Sequence, residues 1–420
     1  MRNYLLIEDN PSPPTPASGA PHLWIKGLGP AGALLAFRAA ARGWRVTGCD
    51  PRVESTQRLP AWPATYGLLD SEVPVWARDF VSAPIELRTV TCSERPAPFR
   101  YCMLNKEALR TAVEAVGIRI TSDLRPPHDA TMVADCTGAP TDSSAYWQLA
   151  VGIVLPYSFL RNATPSPIFM DWSATTGRPP SFLYVQHLER GVLFEETVLA
   201  TGLSPHAVIP ELERRIEARL DEHFRDWRSH ALPDRETVVI PMGTRRARFL
   251  SIHDFSPTPT NTSEDKVLSG ASTLPRIYFG AAGGMINPAT GYSVGGAMSQ
   301  ADACLDSLES AGGYLLSGTE RARGRIKLHR KANAELAFYL RRLGSELISR
   351  ADGPTLSSFF DAFFTLDLAR QLAYLTGHDG IGVMASMWAM RSIVGWRHPF
   401  LMPLWKTPRQ VLRAVLKNKR

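Results

Sequence analysis

The sequence predicts an α/β protein with a Rossmann-type dinucleotide-binding domain, an inserted antiparallel β-rich domain and a helical C-terminal region. Three observations lead to this fold class. A glycine fingerprint spans residues 27–32, a segment rich in β-branched and aromatic residues spans 147–200, and a second glycine-rich turn spans 280–296. Two nucleotide-type turns on either side of a β-rich segment describe a discontinuous domain that carries an insertion.

Composition places the chain among ordinary folded globular proteins. Its 420 residues are 44% hydrophobic and 21% charged, which excludes a disordered, collagen-like or coiled-coil protein. A chain of this length predicts two or three domains of roughly 100 to 200 residues each. The five cysteines are scattered and form no CxxC pair, so we expect no metal site, and reduced thiols in a cytoplasmic protein.

The first glycine segment has the context that dinucleotide binding requires. The predicted strand His22–Lys26 runs into a GxGxxG fingerprint and a predicted helix, and a second predicted strand ends at Asp50. Gly27 allows the tight turn, Gly29 lets backbone approach a pyrophosphate, and Gly32 lets the helix pack closely on the strand. The helix N-terminus favours phosphate, and Asp50 can accept a hydrogen bond from a ribose hydroxyl.

The remaining pattern divides the chain into domains. We expect a disordered leader at 1–20, a discontinuous cofactor domain at 21–140 and 275–310, a substrate domain at 141–274 and a helical region at 311–420. The position of the second glycine turn favours FAD over NAD, because two-domain FAD enzymes of hydroxylase-like architecture return a late strand and helix to the flavin. The other predicted elements are helices at Asn105–Val116 and Pro205–Trp227, strands at Thr131–Ala134, Thr237–Ile240 and Arg276–Phe279, and a loop at Ser256–Ser272.

The C-terminal segment predicts contact with a membrane surface. Residues 380–420 contain eight Lys or Arg residues and no Asp or Glu, in a chain whose formal charge is +7. Cations interleaved with large apolar side chains suit an anionic lipid surface better than nucleic acid. The apolar stretch Ile381–Trp396 is interrupted by Arg391 and too short to span a bilayer, so we expect a peripheral membrane protein. The alternative is a helix pair packed on the body with a solvated basic end.

Seven motifs occur in the order in which one enzyme family carries them. They are WPxxYG at 62–67, FMDW at 169–172, FLY at 182–184, LFEET at 193–197, IPMG at 240–243, MxNPxTGY at 285–292 and FFDAFF at 359–364. From residue 22 to about 405, the chain resembles the lycopene cyclases, FAD-dependent enzymes that close the end rings of carotenoids. The resemblance implies an isomerase of carotenoid biosynthesis that converts the linear ψ ends of lycopene, or of a related linear carotenoid, to the β rings of β-carotene or γ-carotene.

The motifs also depart from the family pattern at several positions. Ser173 stands where the family has Arg, Asn287 stands where it has His, and Ala64 and Thr65 occupy two positions often filled by Asn. None of these changes removes a carboxylate. Whether one or both ends are cyclised, and whether β or ε rings form, stays open, as does the oligomeric state.

The chemistry implied by the family needs a strong acid in a water-poor pocket. Ring closure begins when a terminal double bond is protonated, and a carboxylic acid in apolar surroundings can stay protonated at neutral pH. Glu195 and Glu196 lie within an apolar predicted strand, where only one of the two can face a given pocket. By resemblance, Glu195 is the acid that acts on the polyene and Glu196 a supporting acid, and Asp171 is a further catalytic candidate.

The resemblance also implies which residues hold the substrate and the flavin. The flavin would work in its reduced form and would need NADPH or another reductant for priming. Gly283, Gly284, Pro288 and Gly291 would lie against it. The candidate aromatic residues that face the polyene or the cation are Trp62, Tyr66, Trp172, Phe182 and Tyr184.

A second function class stays open on the sequence alone. A flavin-dependent oxidoreductase, such as a reductase or hydroxylase of polyprenyl or carotenoid lipids, would share the same FAD scaffold. It would consume NAD(P)H in proportion to product, whereas a cyclase would not.

Overall fold

A computed structural model of the chain describes residues 19–54, 57–141, 146–161, 164–174, 177–232, 235–255, 273–312 and 320–416. Most of the predicted leader, the predicted loop Ser256–Ser272 and the last four residues lie outside this part of the chain.

The described residues form two sheets and a set of helices. The strands are β1 His22–Lys26, β2 Arg45–Cys49, β3 Gly67–Leu69, β4 Ile85–Val90, β5 Glu94–Met103, β6 Arg119–Thr121, β7 Met132–Asp135, β8 Tyr146–Leu155, β9 Ile168–Asp171, β10 Phe182–Leu188, β11 Gly191–Thr201, β12 Glu236–Met242, β13 Ile252–Phe255 and β14 Leu274–Tyr278. The helices are α1 Pro30–Ala41, α2 Lys106–Ala115, α3 Tyr157–Leu160, α4 Pro205–His223, α5 Trp227–His230, α6 Val294–Ala311, α7 Glu320–Arg350, α8 Gly353–Phe363, α9 Leu368–Leu375, α10 Gly380–Val394, α11 Pro403–Lys406 and α12 Pro408–Leu416. Short 3-10 helices cover Asp70–Glu72, Val75–Phe80, Gly280–Gly283 and Pro399–Leu401.

The first sheet is the predicted Rossmann-type sheet. Its strand order is β13-β14-β7-β1-β2-β6, and all neighbours are parallel except the pair β13 and β14. Leu23 and Ile25 of β1 are fully buried, as a strand covered on both faces requires. Helix α1 is tied to α6 by Arg38 and Arg42, whose guanidinium nitrogens lie 2.8 and 2.5 Å from the Asp302 carboxylate. The early and late parts of the chain therefore meet in one layer.

The second sheet has eight strands in the order β12-β8-β11-β10-β9-β4-β5-β3. All neighbours are antiparallel except β9 and β4. Strands β3 to β5 join this sheet, although the sequence placed them in the cofactor domain, because β4 pairs with β9 from the inserted segment. Strand β13 likewise belongs to the first sheet and not to the predicted substrate domain. The boundaries between the sheets thus differ from those expected at residues 140 and 274.

Helices cover both faces of the second sheet. On one face, α4 buries Val208, Leu212, Ile216 and Leu220, which are four residues apart and therefore share one side of the helix. On the other face, the C-terminal helices α7 to α10 contribute to an aromatic-rich core with β5, β9 and β10. No helix among the described residues is long and apolar enough to cross a bilayer.

Candidate active site

The GxGxxG turn lies between β1 and α1 and has the geometry that its glycines predict. Gly27 has a φ of +88°, and a Cβ there would lie 2.6 Å from the Cys136 carbonyl oxygen. A Cβ on Gly32 would lie 2.0 Å from the Gly27 carbonyl oxygen, so the helix could not approach the turn. At Gly29, the N-cap of α1, a Cβ would meet nothing within 4 Å. This open space at a helix N-terminus suits a phosphate group.

Asp50 lies at the end of β2, beside this turn. Its carboxylate accepts a 2.9 Å hydrogen bond from the Leu28 N–H and two from the Arg52 guanidinium. Burial alone would raise the pKa of Asp50, but these hydrogen bonds outweigh it and lower the pKa below its usual value. The carboxylate is therefore a charged acceptor at the end of β2.

The second glycine segment packs against the first sheet and against α7. A Cβ on Gly283 would lie 2.3 Å from the Tyr278 carbonyl oxygen, and Gly284 has a φ of +77°. Pro288 accepts a hydrogen bond from the Ser345 hydroxyl through its carbonyl oxygen. At Gly291, where φ is +78°, a Cβ would collide with the Gln148 side chain. Each of these turns requires the close backbone approach that glycine permits.

A cavity of about 580 Å³ lies between the second glycine segment and the second sheet. From the first sheet it is lined by Gly138 and Ala139 after β7, by Ala281 and Gly291 of the second glycine segment, and by Val294 at the start of α6. From the second sheet it is lined by β8, β10, β11 and β12. Its volume falls in the range of small-molecule and cofactor sites.

Glu195 lies on β11 and faces this cavity. Burial, and after it the charge of Glu236, raise the pKa of Glu195 from an ordinary 4.5 to about 8. The Thr197 hydroxyl, 3.4 Å from Glu195 Oε2, opposes this rise only in part. At neutral pH the side chain is consequently a carboxylic acid able to give up a proton.

Glu236 is a site residue that the sequence reading missed. Gly152 of β8 pairs with Glu195 on one side and with Glu236 of β12 on the other, so the three residues form one row across the sheet. Because residues in one row share a face, the two carboxyl groups flank a position without a side chain. Glu236 accepts hydrogen bonds of 2.5 and 2.6 Å from the Thr65 N–H and hydroxyl. The available signal was an acid directly before the predicted strand Thr237–Ile240.

The structure does not bring the three predicted catalytic carboxylates together. Glu196 pairs with Leu183, and Leu183 pairs with Asp171, so these residues lie on the α4 face of the sheet. There Arg219 of α4 lies 2.8 Å from Glu196 Oε2 and 3.8 Å from Asp171 Oδ2. Glu196 and Asp171 thus belong to an ion-pair cluster behind the sheet, because neighbouring residues of β11 point to opposite faces.

The five predicted aromatic residues also separate into two groups. Tyr66 and Tyr184 line the cavity. Trp62 instead packs under the glycine turn and donates a 2.9 Å hydrogen bond from its indole to the Leu28 carbonyl oxygen. Trp172 and Phe182 pack on each other in the aromatic core, with ring centroids 4.9 Å apart. Those three stabilise the walls and are not among the residues that line the cavity.

Two further tyrosines complete the aromatic wall. Tyr101 of β5 and Tyr292, which follows the second glycine turn, both line the cavity. The hydroxyls of Tyr184 and Tyr292 are 3.4 Å apart. A Cβ on Gly67 would lie 2.0 Å from the Tyr101 hydroxyl, which explains the glycine in the WPxxYG motif. Burial raises the pKa of Tyr101, Tyr184 and Tyr292, so the phenols are neutral.

Asn287, which replaces the histidine of the family pattern, has a structural role here. Its amide donates hydrogen bonds of 2.9 and 3.2 Å to the carbonyl oxygens of Leu375 and Tyr374 at the end of α9. Its side-chain oxygen accepts one from the Ala289 N–H at 2.9 Å. The residue therefore ties the second glycine segment to the C-terminal helices.

These features define a class of protein: a Rossmann-type α/β protein with a GxGxxG turn, in which a protonated glutamic acid faces an aromatic cavity lined in part by a second glycine segment. The chain belongs to the lycopene cyclase protein family, whose sequence model matches residues 111–380.

Similar proteins agree with this family. The chain is 24% identical over 402 residues to the chloroplastic lycopene beta cyclase of Solanum lycopersicum, covering 82% of this chain and 72% of the relative. It is 24% identical over 409 residues to the lycopene beta cyclase of Synechococcus elongatus, covering 84% of this chain and 88% of the relative. Among solved structures, a geranylgeranyl bacteriochlorophyll reductase-like protein from Thermoplasma acidophilum shares the fold, with a TM-score of 0.56 at 13% identity over 92% of this chain and 99% of that one.

Proposed function

We propose that this protein cyclises the linear ψ ends of lycopene, or of a related linear carotenoid, to β rings. The observation that carries the proposal is Glu195, a carboxylic acid with a pKa of about 8 in a cavity lined by tyrosines. An apolar polyene offers such a site no charge or hydrogen-bonding group. The reaction available to it is proton transfer to a carbon–carbon double bond.

The proposed reaction starts with proton donation from Glu195 to the terminal double bond. The electron pair of that bond forms the new C–H bond and leaves a tertiary cation on the neighbouring carbon. The next double bond attacks this cation and closes the ring, and a base then removes a ring proton to restore a double bond. The carboxylate left on Glu195 and the carboxyl group of Glu236 are the candidates for this base. No electrons are gained or lost, so the reaction is an isomerisation.

The tyrosine wall favours the positive charge during ring closure. Tyr101, Tyr184 and Tyr292 present neutral rings to the cavity, and the negative face of an aromatic ring attracts a cation. Their hydroxyls are partly satisfied by one another, as the 3.4 Å separation of Tyr184 and Tyr292 indicates. Weak nucleophiles of this kind stabilise a carbocation without trapping it as readily as water would.

The residues of the two glycine segments fit a bound FAD. Gly29 leaves open space at the N-terminus of α1, Asp50 offers a charged acceptor beside it, and Gly291 lines the cavity near Glu195. A reduced flavin would supply an anion that stabilises positive charge beside it, and NADPH or another reductant would be needed to keep it reduced.

We also propose peripheral association with an anionic membrane through the C-terminal helices. Ile381, Trp388, Trp405 and Leu412 are each more than half exposed. Residues 380–416 carry no acidic side chain. Exposed apolar residues beside cations bind at the interface of anionic bilayers, next to the acyl-chain region in which a carotenoid substrate dissolves.

Isotope incorporation distinguishes this function from a flavin oxidoreductase. We expect the purified protein, given a linear carotenoid in vesicles and in D₂O, to place one solvent deuteron in each ring formed, without NADPH consumption in proportion to product. Pigment analysis of a lycopene-accumulating host that expresses the chain would identify the ring type and the number of ends cyclised. Product free of deuterium, or NADPH use that matches product, would contradict the proposal.

A further inference from the structure

A second cavity, which we name the α10 groove, opens beside the exposed face of helix α10. Its volume is about 250 Å³, and Met384, Met387 and Trp388 of α10 line it together with Trp396 and Leu404. Trp388 is 62% exposed and Met384 is 51% exposed, so the groove begins at the surface of the molecule. Its lining is almost wholly apolar, apart from Arg391 and a few smaller polar groups.

A small third cavity lies between the α10 groove and the Glu195 cavity. It holds only about 20 Å³ and shares Tyr184, Tyr292 and Thr290 with the Glu195 cavity. At its other end it shares Phe359, Phe363 and Tyr374 with the α10 groove. The three spaces therefore follow one another through the aromatic core. Phe359 is one of the three residues that lie between the small cavity and the α10 groove, and its ring stacks on Phe400 at 3.8 Å between centroids.

The Glu195 cavity is proposed to hold the reacting end of the carotenoid beside the flavin. With about 580 Å³ for both, it leaves no room for the full length of a long, rigid polyene. The rest of the molecule must leave the cavity through an apolar passage, because a conjugated hydrocarbon gains free energy when it stays out of water. The line of cavities toward α10 is lined by aromatic and aliphatic side chains.

The surroundings of the groove fit a membrane as the source of the substrate. Arg391 lies between Trp388 and Trp396, with its guanidinium carbon 3.9 and 4.5 Å from the two ring centroids. Arg397 and Lys406 follow in the same acid-free segment. Tryptophan and arginine at one rim suit the headgroup level of an anionic bilayer, with the apolar groove facing the acyl chains.

We propose that the α10 groove is the entrance through which the polyene passes from an anionic bilayer to Glu195, and that Phe359, Phe363 and Tyr374 form the constriction that admits it. This inference rests on the proposed function and adds to it the route by which the substrate reaches Glu195. Phe359 is only partly buried, whereas Phe363 is 2% exposed, so Phe359 is the residue that can move with the smaller loss of packing. The constriction favours a thin and wholly apolar chain.

The test changes the width of the constriction in both directions. Transfer of a linear carotenoid from anionic vesicles to the flavin-loaded protein is followed by quenching of protein tryptophan fluorescence, which does not require ring closure. We expect Phe359→Ala to raise the transfer rate several-fold and Phe359→Trp to lower it about tenfold. A tenfold change corresponds to a small increase in the activation free energy of transfer. The rate of ring closure after loading should change little in either variant.

A matched control separates gating from loss of packing. Phe159 is also partly buried and stacked, on His230 at 4.6 Å, but it lies on the α4 face of the sheet. Phe159→Ala and Phe159→Trp should leave the transfer rate unchanged. If Phe359→Ala and Phe359→Trp lowered the transfer rate equally, the role of Phe359 would be purely structural and the proposal would be overturned. The proposal would also be overturned if transfer were unchanged in both Phe359 variants but slow in Val239→Trp, because Val239 of β12 lines the Glu195 cavity and is 44% exposed, so that transfer would then enter there. Wild-type protein that takes up the polyene without forming rings would contradict the proposed function and leave the route intact.

Discussion

Replacing Glu195 with glutamine tests the proposed chemistry most directly. With a pKa of about 8, about nine in ten Glu195 side chains are protonated at pH 7, whereas at the ordinary value of 4.5 about three in a thousand would be. The cavity therefore raises the population of the acid form by about 300-fold. An amide of the same shape keeps the volume and neutrality of that form but cannot donate the proton.

We expect Glu195→Gln to fold, to bind flavin and to lose cyclisation by about 10²- to 10⁴-fold, the usual worth of a general acid. The assay is the change in visible absorption when a double bond leaves conjugation, with rings counted by mass in D₂O. The matched control is Glu196→Gln on the opposite face of the strand. Full activity of the Glu195 variant would refute the mechanism.

The pH dependence gives a second readout of the same group. Activity of the wild type should hold below about pH 8 and fall about tenfold per unit above it, because the reactive form is the protonated one. Because burial places the folded-state pKa of Glu195 above its unfolded value, its contribution to stability is greatest below pH 4.5 and is lost as pH rises through about 8. Glu195→Gln should lose less stability over that range. An unchanged unfolding profile would contradict the raised pKa.

Four further predictions follow from the contacts described above. Glu236→Gln should move the alkaline limit of activity to lower pH, since the charge of Glu236 is the second cause of the raised pKa of Glu195; an unmoved pH profile would contradict this. Gly29→Val should keep the fold but purify without flavin absorption, because the new side chain meets only open space that a phosphate would fill. Trp388→Glu should lower binding to anionic vesicles in a flotation assay by about tenfold, the worth of one large apolar side chain; binding equal to wild type would argue against this surface. Glu196→Gln should lower the free energy of unfolding by about 3 kcal/mol, since it breaks a buried ion pair, and denaturant titration against wild type would show it.

Features set by local sequence agree closely with the structure. The strand His22–Lys26 has the bounds that the sequence predicted, because a short buried parallel strand is a continuous apolar run that ends at a glycine turn. The alternation of side chains along β11 separates Glu195 from Glu196, as expected from a period of two residues. Such features depend only on neighbours in the chain, and the order of residues determines them.

The composition of the site depended on the tertiary structure. Glu236 lies beside Glu195 because β8 pairs with both β11 and β12 and places Gly152 between the two acids. The register of such a pairing cannot be predicted from the residue pattern of one strand alone. Trp62 and Tyr66 come from one motif, yet the first packs under the glycine turn and the second lines the cavity. The sequence by itself therefore determined the fold class, the GxGxxG turn and the position of Glu195 in an apolar strand. Which residues surround that acid was decided by the pairing of strands distant in sequence, because only that pairing sets which side chains share a cavity.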